Sequence, residues 1–394
     1  MKILLVNDYG IPLGGAEIQM LRLRQVLRER GHDARLFTSS VKNGYMNNEA
    51  DYTCPGTASP FRTLLQTFNP WAYLSLRKVI REFRPDIIHV KIFLTQLSPL
   101  ILPLLKNIPS LYHVAWYRPV CPTGTKLLPD GSLCTVRAGM PCYRNGCLPV
   151  RDWAPLMVQL KLFGQWRSSF NAILANSESV RDTLLQNGIG GVEVLHYGMP
   201  SKPDRASLDE RPTVSFAGRL VREKGVDVLL RAFAKTAGMV PSARLLIAGE
   251  GPEREKIKLM ISDLRLASKV TLLGRLPNPK IDEAFNSAWV QAVPSLWAEP
   301  FGITAVEAAM RGTAVVASGS GGLREIVEDG KSGFLVPPGD VDALAEKLLL
   351  LLKDKDLSAS LGREGRIRAE SRFGEQTFLN KLLDIYERLY AASK

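Results

Sequence analysis

The feature that most restricts what this chain can become is an alternation that occurs twice. In the first half, the runs KILLV (2–6), DARLFTS (33–39), DIIHV (86–90), SLYHVAW (110–116), AILAN (172–176) and VEVLHYG (192–198) are short and mostly apolar. Helical periodicity lies between several of them, over 18–30, 71–83 and 177–186. The second half repeats the scheme with TVSFAG (213–218), ARLLIAG (243–249), KVTLLG (269–274), VQAVPS (290–295), TAVVAS (313–318) and GFLVP (333–337). Apolar strands between amphipathic helices predict parallel sheets covered on both faces. The expected fold class is therefore α/β, with two Rossmann-like β/α/β domains facing a central cleft, where strand C-termini and their loops gather. The polar, proline-bearing stretch 198–212 reads as the junction. This divides the chain into 1–198, 199–374 and a last helix at 375–394, expected to pack back toward the N-terminal domain.

A length of 394 residues suits two or three domains with sizeable cores. No apolar run reaches the roughly 18 residues of a membrane span, since LSPLILPLL (97–105) is short and broken by prolines. MKILLVNDYG reads as a first strand rather than a secretory leader, so the expected compartment is the cytoplasm. The formal charge of +12 is uneven: residues 1–200 carry 22 Lys and Arg against 13 Asp and Glu. Such a half suits an anionic partner, a phosphorylated acceptor or the inner face of a membrane; a solvated surface explains it equally well. Nucleic acid ranks last, because no recognition module accompanies the charge. Cys121, Cys134, Cys142 and Cys147 lie close in sequence without a C-x2-C pair. Reduced thiols are the favoured reading; disulfides or a structural metal are the alternatives.

The chemistry sits in the loops after strands. Gly14 and Gly15 precede a helix carrying Glu17, and paired glycines let backbone N–H groups approach a phosphate. The spacing is not G-x-G-x-x-G, so a dinucleotide fingerprint is lacking, and an ordinary tight turn is as good a reading. In GRLVREKG, Arg219 and Lys224 lie before another helix, where two cations can neutralise a diphosphate. In EPFGITAVE, the amides of Gly302, Ile303 and Thr304 open the helix 303–310 and form a phosphate cradle. Glu299 stands before that helix, where a diphosphate about 4 Å away would repel it by roughly 1–4 kcal/mol. Arg219 and Lys224 can offset that repulsion, leaving an acceptor-only group suited to sugar hydroxyls. Glu307, one turn inside, suits a ribose diol; in so apolar a helix its carboxylate needs a partner. Asp340-Val341-Asp342 spells the D-x-D of metal-dependent sugar transfer, but its setting makes Asp340 a helix N-cap. Asp354 and Asp356 read as solvated surface.

Together GGAE, GRLVREKG, IAGEGP, E-x7-E and GSGGLREIVEDGKSGFLVPPGD resemble family 4 of the retaining glycosyltransferases, with the GT-B fold. The resemblance covers nearly the whole chain and is densest over 213–350. It implies transfer of a sugar from a nucleoside diphosphate sugar, UDP- or GDP-linked, to a glycan, lipid-linked or small-molecule acceptor. Configuration would be retained and no cofactor or divalent metal required. By the same resemblance, the Gly14–Gly15 loop approaches the donor phosphates, and Arg219 and Lys224 grip the diphosphate. Glu299 binds sugar hydroxyls beside Phe301 and Gly302, Glu307 binds ribose, and Gly274, Arg275 and Leu276 hold the base. His113 matches the catalytic histidine, with Val114 in place of the acidic residue that usually follows. His89 matches the first histidine of an H-V-H pattern, with Lys91 standing where the second would be. The alternatives are a nucleotide-sugar epimerase with the same grip and an inactive scaffold. Retention of the charged set favours the transferase.

Overall fold

The computed structural model describes residues 1–41, 48–56, 62–205, 207–208 and 210–393. They form two compact units, Met1–Tyr197 with Asn380–Lys394, and Gly198–Leu379. Among the described residues, the first unit holds seven strands: β1 (Lys2–Tyr9), β2 (Asp33–Ser39), β3 (Tyr52–Cys54), β4 (Ile87–Val90), β5 (Ser110–Val114), β6 (Ala172–Ala175) and β7 (Val192–Val194). Their spatial order is β3-β2-β1-β4-β5-β6-β7, every pairing parallel. The central strands read apolar without alternation because both faces are covered: Ile3–Val6 and Ile87–Val90 are buried throughout.

The second unit holds β8 (Thr213–Ala217), β9 (Arg244–Ala248), β10 (Val270–Gly274), β11 (Val290–Val293), β12 (Ala314–Ser318) and β13 (Gly333–Val336), in the parallel order β10-β9-β8-β11-β12-β13. Its core joins the sheet to the helices Val226–Met239 and Val341–Lys353 through Val214, Phe216, Leu229, Phe233, Leu344 and Leu348. In each sheet the strand order reverses once, between β1 and β4 and between β8 and β11. Such switch points open a crevice at the strand C-termini, and the two carry the residues considered next.

All twelve apolar runs form strands. β3 is an addition, three residues long and thus too short for periodicity to register. The segment expected to be too short for a membrane span contains the buried 3-10 turn Pro99–Leu105, and among the described residues no helix is long and apolar enough to cross a bilayer. Asp340 caps its helix, accepting from the Ala343 amide at 2.9 Å. Asp354 and Asp356 are exposed, as expected, and Asp354 also caps the helix Lys355–Phe373, accepting from Leu357 N–H at 2.8 Å. The five cysteines form no disulfide with one another, and among the described residues no group of His, Cys, Asp and Glu is arranged to hold a metal. The last helix, Glu375–Ala391, begins in the second unit, where Glu375 N–H donates to Met199 carbonyl at 2.9 Å. From Asn380 it belongs to the first, where Tyr386 meets His89 and Arg388 pairs with Glu193.

Candidate active site

At the second unit's switch point, the loops after β8 and β11 are stitched together. The turn Arg222–Lys224 follows β8, and its Glu223 carbonyl accepts from Leu296 N–H, after β11, at 2.9 Å. This brings Lys224 Nζ to 2.5 Å from Glu299 Oε1, with Ser295 Oγ donating to the same oxygen at 2.6 Å. The indole of Trp297 lies beside the pair, its ring 5.4 Å from the ammonium. Glu299 is buried, which alone would raise its carboxyl; the Lys224 charge and hydrogen bonds from Lys224, Ser295 and Trp297 hold it below the usual range. The carboxylate is therefore ionised, and its Oε1 accepts from both Lys224 and Ser295.

Backbone contacts fix Glu299 from the other side. Its carbonyl accepts from Gly322 N–H at 2.8 Å, and a Cβ at Gly321, whose φ is +59°, would fall 2.2 Å from that oxygen. Gly321 and Gly322 of GSGG are required for this close approach, a Cβ on Gly322 falling 2.6 Å from the Phe301 carbonyl oxygen. Gly302 has φ +108° and opens the helix Ile303–Met310. Among the described residues the amides of Gly302, Ile303 and Thr304 donate no hydrogen bond, as the first turn of a helix requires of an anion cradle. Phe301 contributes backbone only. Its ring is buried edge-on against Phe373, centroids 5.5 Å apart, so it packs the core rather than facing the loop.

Glu307 has the partner its apolar helix demanded. Asn278 Nδ2 donates to its Oε1 at 3.2 Å. Burial pushes the Glu307 carboxyl up, and the charges of Arg311 and Lys202 partly offset that. Arg311 is held by Asp282 at 2.9 Å and by Gln291, whose amide binds the Thr304 carbonyl at 2.8 Å. Arg219, by contrast, stands 62% exposed, with a loose 3.6 Å contact to Glu223. Gly274 ends β10 with φ +67°, Arg275 is exposed, and Leu276 packs beside Phe285. Ser295, Asn278, Trp297 and Gly321 were not singled out from sequence. GSGG was read only as part of a family motif, and no local signal marks the others.

The first unit collects the remaining candidates at its own switch point. Gly14 caps the helix Gly15–Glu29, and Glu17 accepts from the N–H groups of Gly14 and its own residue. This is the acidic half of a capping box, Gly14 having no side chain for the other half, so those two amides already face a carboxyl group. His113 lies buried in β5, its ring between His89 and Tyr197 at 5.7 and 5.1 Å, and Nε2 donates to the Leu195 carbonyl at 2.9 Å. Burial, with the Lys91 charge, pushes it down to about 3, so it is neutral near pH 7. His89 is lowered by burial, His113 and Lys91, and its Nδ1 meets Tyr386 Oη at 2.7 Å.

Two family descriptions match the chain. Residues 13–201 match glycosyltransferase family 4, and residues 201–368 match glycosyl transferases group 1. The chain belongs to this glycosyltransferase family. A phosphatidyl-myo-inositol mannosyltransferase of Mycolicibacterium smegmatis is 27% identical over 403 residues, covering 100% of this chain and 95% of that protein. A GDP-mannose-dependent alpha-(1-6)-phosphatidylinositol monomannoside mannosyltransferase of the same organism is 38% identical over 169 residues, covering 41% of this chain and 44% of its own length. Among solved structures, sucrose-phosphate synthase from Thermosynechococcus elongatus superposes with TM-score 0.77 at 24% identity, each chain covered in full. HepE from Anabaena, in complex with UDP and glucose, gives 0.72 at 20% identity, over 98% of this chain and 100% of that one. The glycosyltransferase therefore has the two-domain, Rossmann-like GT-B fold, and its activity is glycosyl transfer.

Proposed function

We propose that this glycosyltransferase takes its sugar from a UDP- or GDP-sugar, retains anomeric configuration, and manages the leaving diphosphate without a divalent metal. The observation that carries the reading is the pairing of half-buried Lys224 with buried Glu299 beside the open amides of Gly302, Ile303 and Thr304. Lys224 lets a carboxylate stand where phosphate binds. Glu299 then accepts from sugar hydroxyls, while Arg219, Lys224 and the helix N-terminus take the charge developing on the diphosphate. Of the two D-x-D spellings, Asp340 and Asp342 are engaged with the Ala343 amide and with Lys235, and Asp354 of the other is engaged with the Leu357 amide. Glu307 with Asn278 is suited to ribose.

The test is calorimetry and donor turnover with UDP, GDP and their sugars, in EDTA. Turnover is expected to continue undiminished. Loss on chelation, restored by Mg²⁺ or Mn²⁺, would overturn the metal-free mechanism; restoration by Zn²⁺ alone would direct attention to the cysteine segment. Glu299→Gln should abolish turnover yet bind free nucleotide within a few-fold, whereas Glu307→Ala should weaken nucleotide by more than tenfold. Equal losses of nucleotide in both variants would reject the division of roles.

The acceptor we propose is lipid-linked, as the names of two relatives would suit, and reached at an anionic membrane face. Leu64, Phe68, Trp71 and Leu74 are each about half exposed or more, within a stretch that also carries Arg62, Arg77, Lys78 and Arg81 and no acid before Glu82. Exposed aromatic and aliphatic groups among cations suit an anionic bilayer surface. Co-sedimentation with vesicles containing phosphatidylglycerol should exceed that with phosphatidylcholine alone, and Trp71→Ser with Leu74→Ser should abolish the difference. Equal recovery on both vesicles would reject the membrane face.

A further inference from the structure

Lys91 follows β4, directly across the first unit's switch point from the Gly14–Gly15 loop that follows β1. Its side chain is 3% exposed, and among the described residues its ammonium makes no hydrogen bond or ion pair. What it has is the ring of Tyr197, 4.0 Å from Nζ to the centroid, and the charge of Glu17 at the start of the helix Gly15–Glu29. His89 Nε2, in the same cluster, is buried with no hydrogen-bond partner. An ammonium so placed has given up most of its water without gaining an acceptor, so burial disfavours its charged form and draws Lys91 down to about 7. A structural role would be served more cheaply by an apolar residue of the same length.

Three donors on Lys91, the unpartnered Nε2 of His89 and the first turn of the fifteen-residue helix that carries Glu17 belong to one cluster, linked by the Lys91 charge, which acts on both Glu17 and His89. Several acceptor oxygens on one anion match them. We infer that Lys91 is a ligand-binding residue that receives a phosphoryl group at this crevice, with Glu17 the internal anion that holds the helix amides until the phosphoryl arrives. The inference rests on the transferase reading in that the phosphoryl belongs to a transfer substrate, either the donor's diphosphate or a phosphate on the acceptor. Lys91 is the departure from the H-V-H pattern, so it sets which of the two this chain binds with extra charge.

The test is calorimetry on the full chain with UDP, GDP and inorganic phosphate, comparing wild type with Lys91→Met at pH 7 and pH 9. Lys91→Met is expected to weaken at least one probe about tenfold or more at pH 7, as loss of a charge-assisted bond does, with no fall in Tm. Wild-type affinity should drop toward that of the variant at pH 9, where Lys91 has lost its proton. The groups facing it do not produce that drop: burial raises Glu17 from the acid side, lowers His89 and His113, and raises Tyr197. Weakened UDP or GDP assigns the phosphoryl to the donor; Lys91-dependent phosphate binding with nucleotide saturating assigns it to the acceptor. Unchanged binding of every probe, or a loss matched by an equal loss of stability, overturns the inference. Arg219→Ala run in parallel separates the two readings. If it loses nucleotide while Lys91→Met loses nothing, only this inference fails; if Lys91→Met loses phosphate while Arg219→Ala loses nothing, the donor grip fails instead.

Discussion

Lys224→Met should unfold far more readily than wild type at pH 7, because it leaves the Glu299 carboxylate buried without its cation. Breaking one side of a buried pair typically costs about 3–5 kcal/mol. Urea denaturation should register that loss as a lower midpoint. Adding Glu299→Gln to the same chain should recover most of it, since the uncompensated charge is then gone. A double variant no more stable than Lys224→Met would show that the pair is not what holds these loops. The acid side gives an independent check. The Glu299 carboxyl is held below its ordinary value of 4.5 in the folded chain, so its stabilisation is complete above 4.5 and lost as pH falls through the folded value. The advantage of wild type over Glu299→Gln should therefore shrink only below about pH 4.5.

Arg219→Ala should do the opposite, cutting kcat/KM for donor turnover by about 100-fold or more while leaving the urea midpoint in place. A preorganised charge facing a developing anion is commonly worth about 3 kcal/mol or more. The same guanidinium is 62% exposed with one contact at 3.6 Å, and exposed pairs contribute at most about 1 kcal/mol to folding. Near-wild-type turnover would return Arg219 to ordinary surface charge. The two variants thus separate a cation that builds the site from one that waits for the ligand, a distinction their shared motif conceals.

That concealment marks where sequence reading stops. Strands such as Ile87–Val90 were legible because burial on both faces leaves no polar alternation to misread, and the helix 303–310 because Gly302 and its apolar run mark its start. The glycosyltransferase resemblance was legible because its motifs occur in order over most of the chain. The pairing of Lys224 with Glu299 spans 75 residues, and nothing local to either announces it. The same holds for Asn278 beside Glu307, 29 residues apart. The direction of the Phe301 side chain was illegible for a different reason: it turns into the core against Phe373, which lies far along the chain. Lys91 was noticed only as a mismatch with a pattern. Its isolation from acceptors is a property of the folded crevice.

The closing helix gives synthesis a direction. Unit one is translated first but cannot be completed first, since Tyr386, which binds His89, and Arg388, which binds Glu193, emerge only after the whole of unit two. On the ribosome, where domains fold in the order they appear, the second unit is the earlier one to have all its parts. A nascent chain halted before residue 380 has a parallel sheet whose His89 lacks its phenol, and with it a half-finished crevice. The helix from Asn380 onward acts as a latch on the first unit, so the cluster around His89 waits for residues made after unit two.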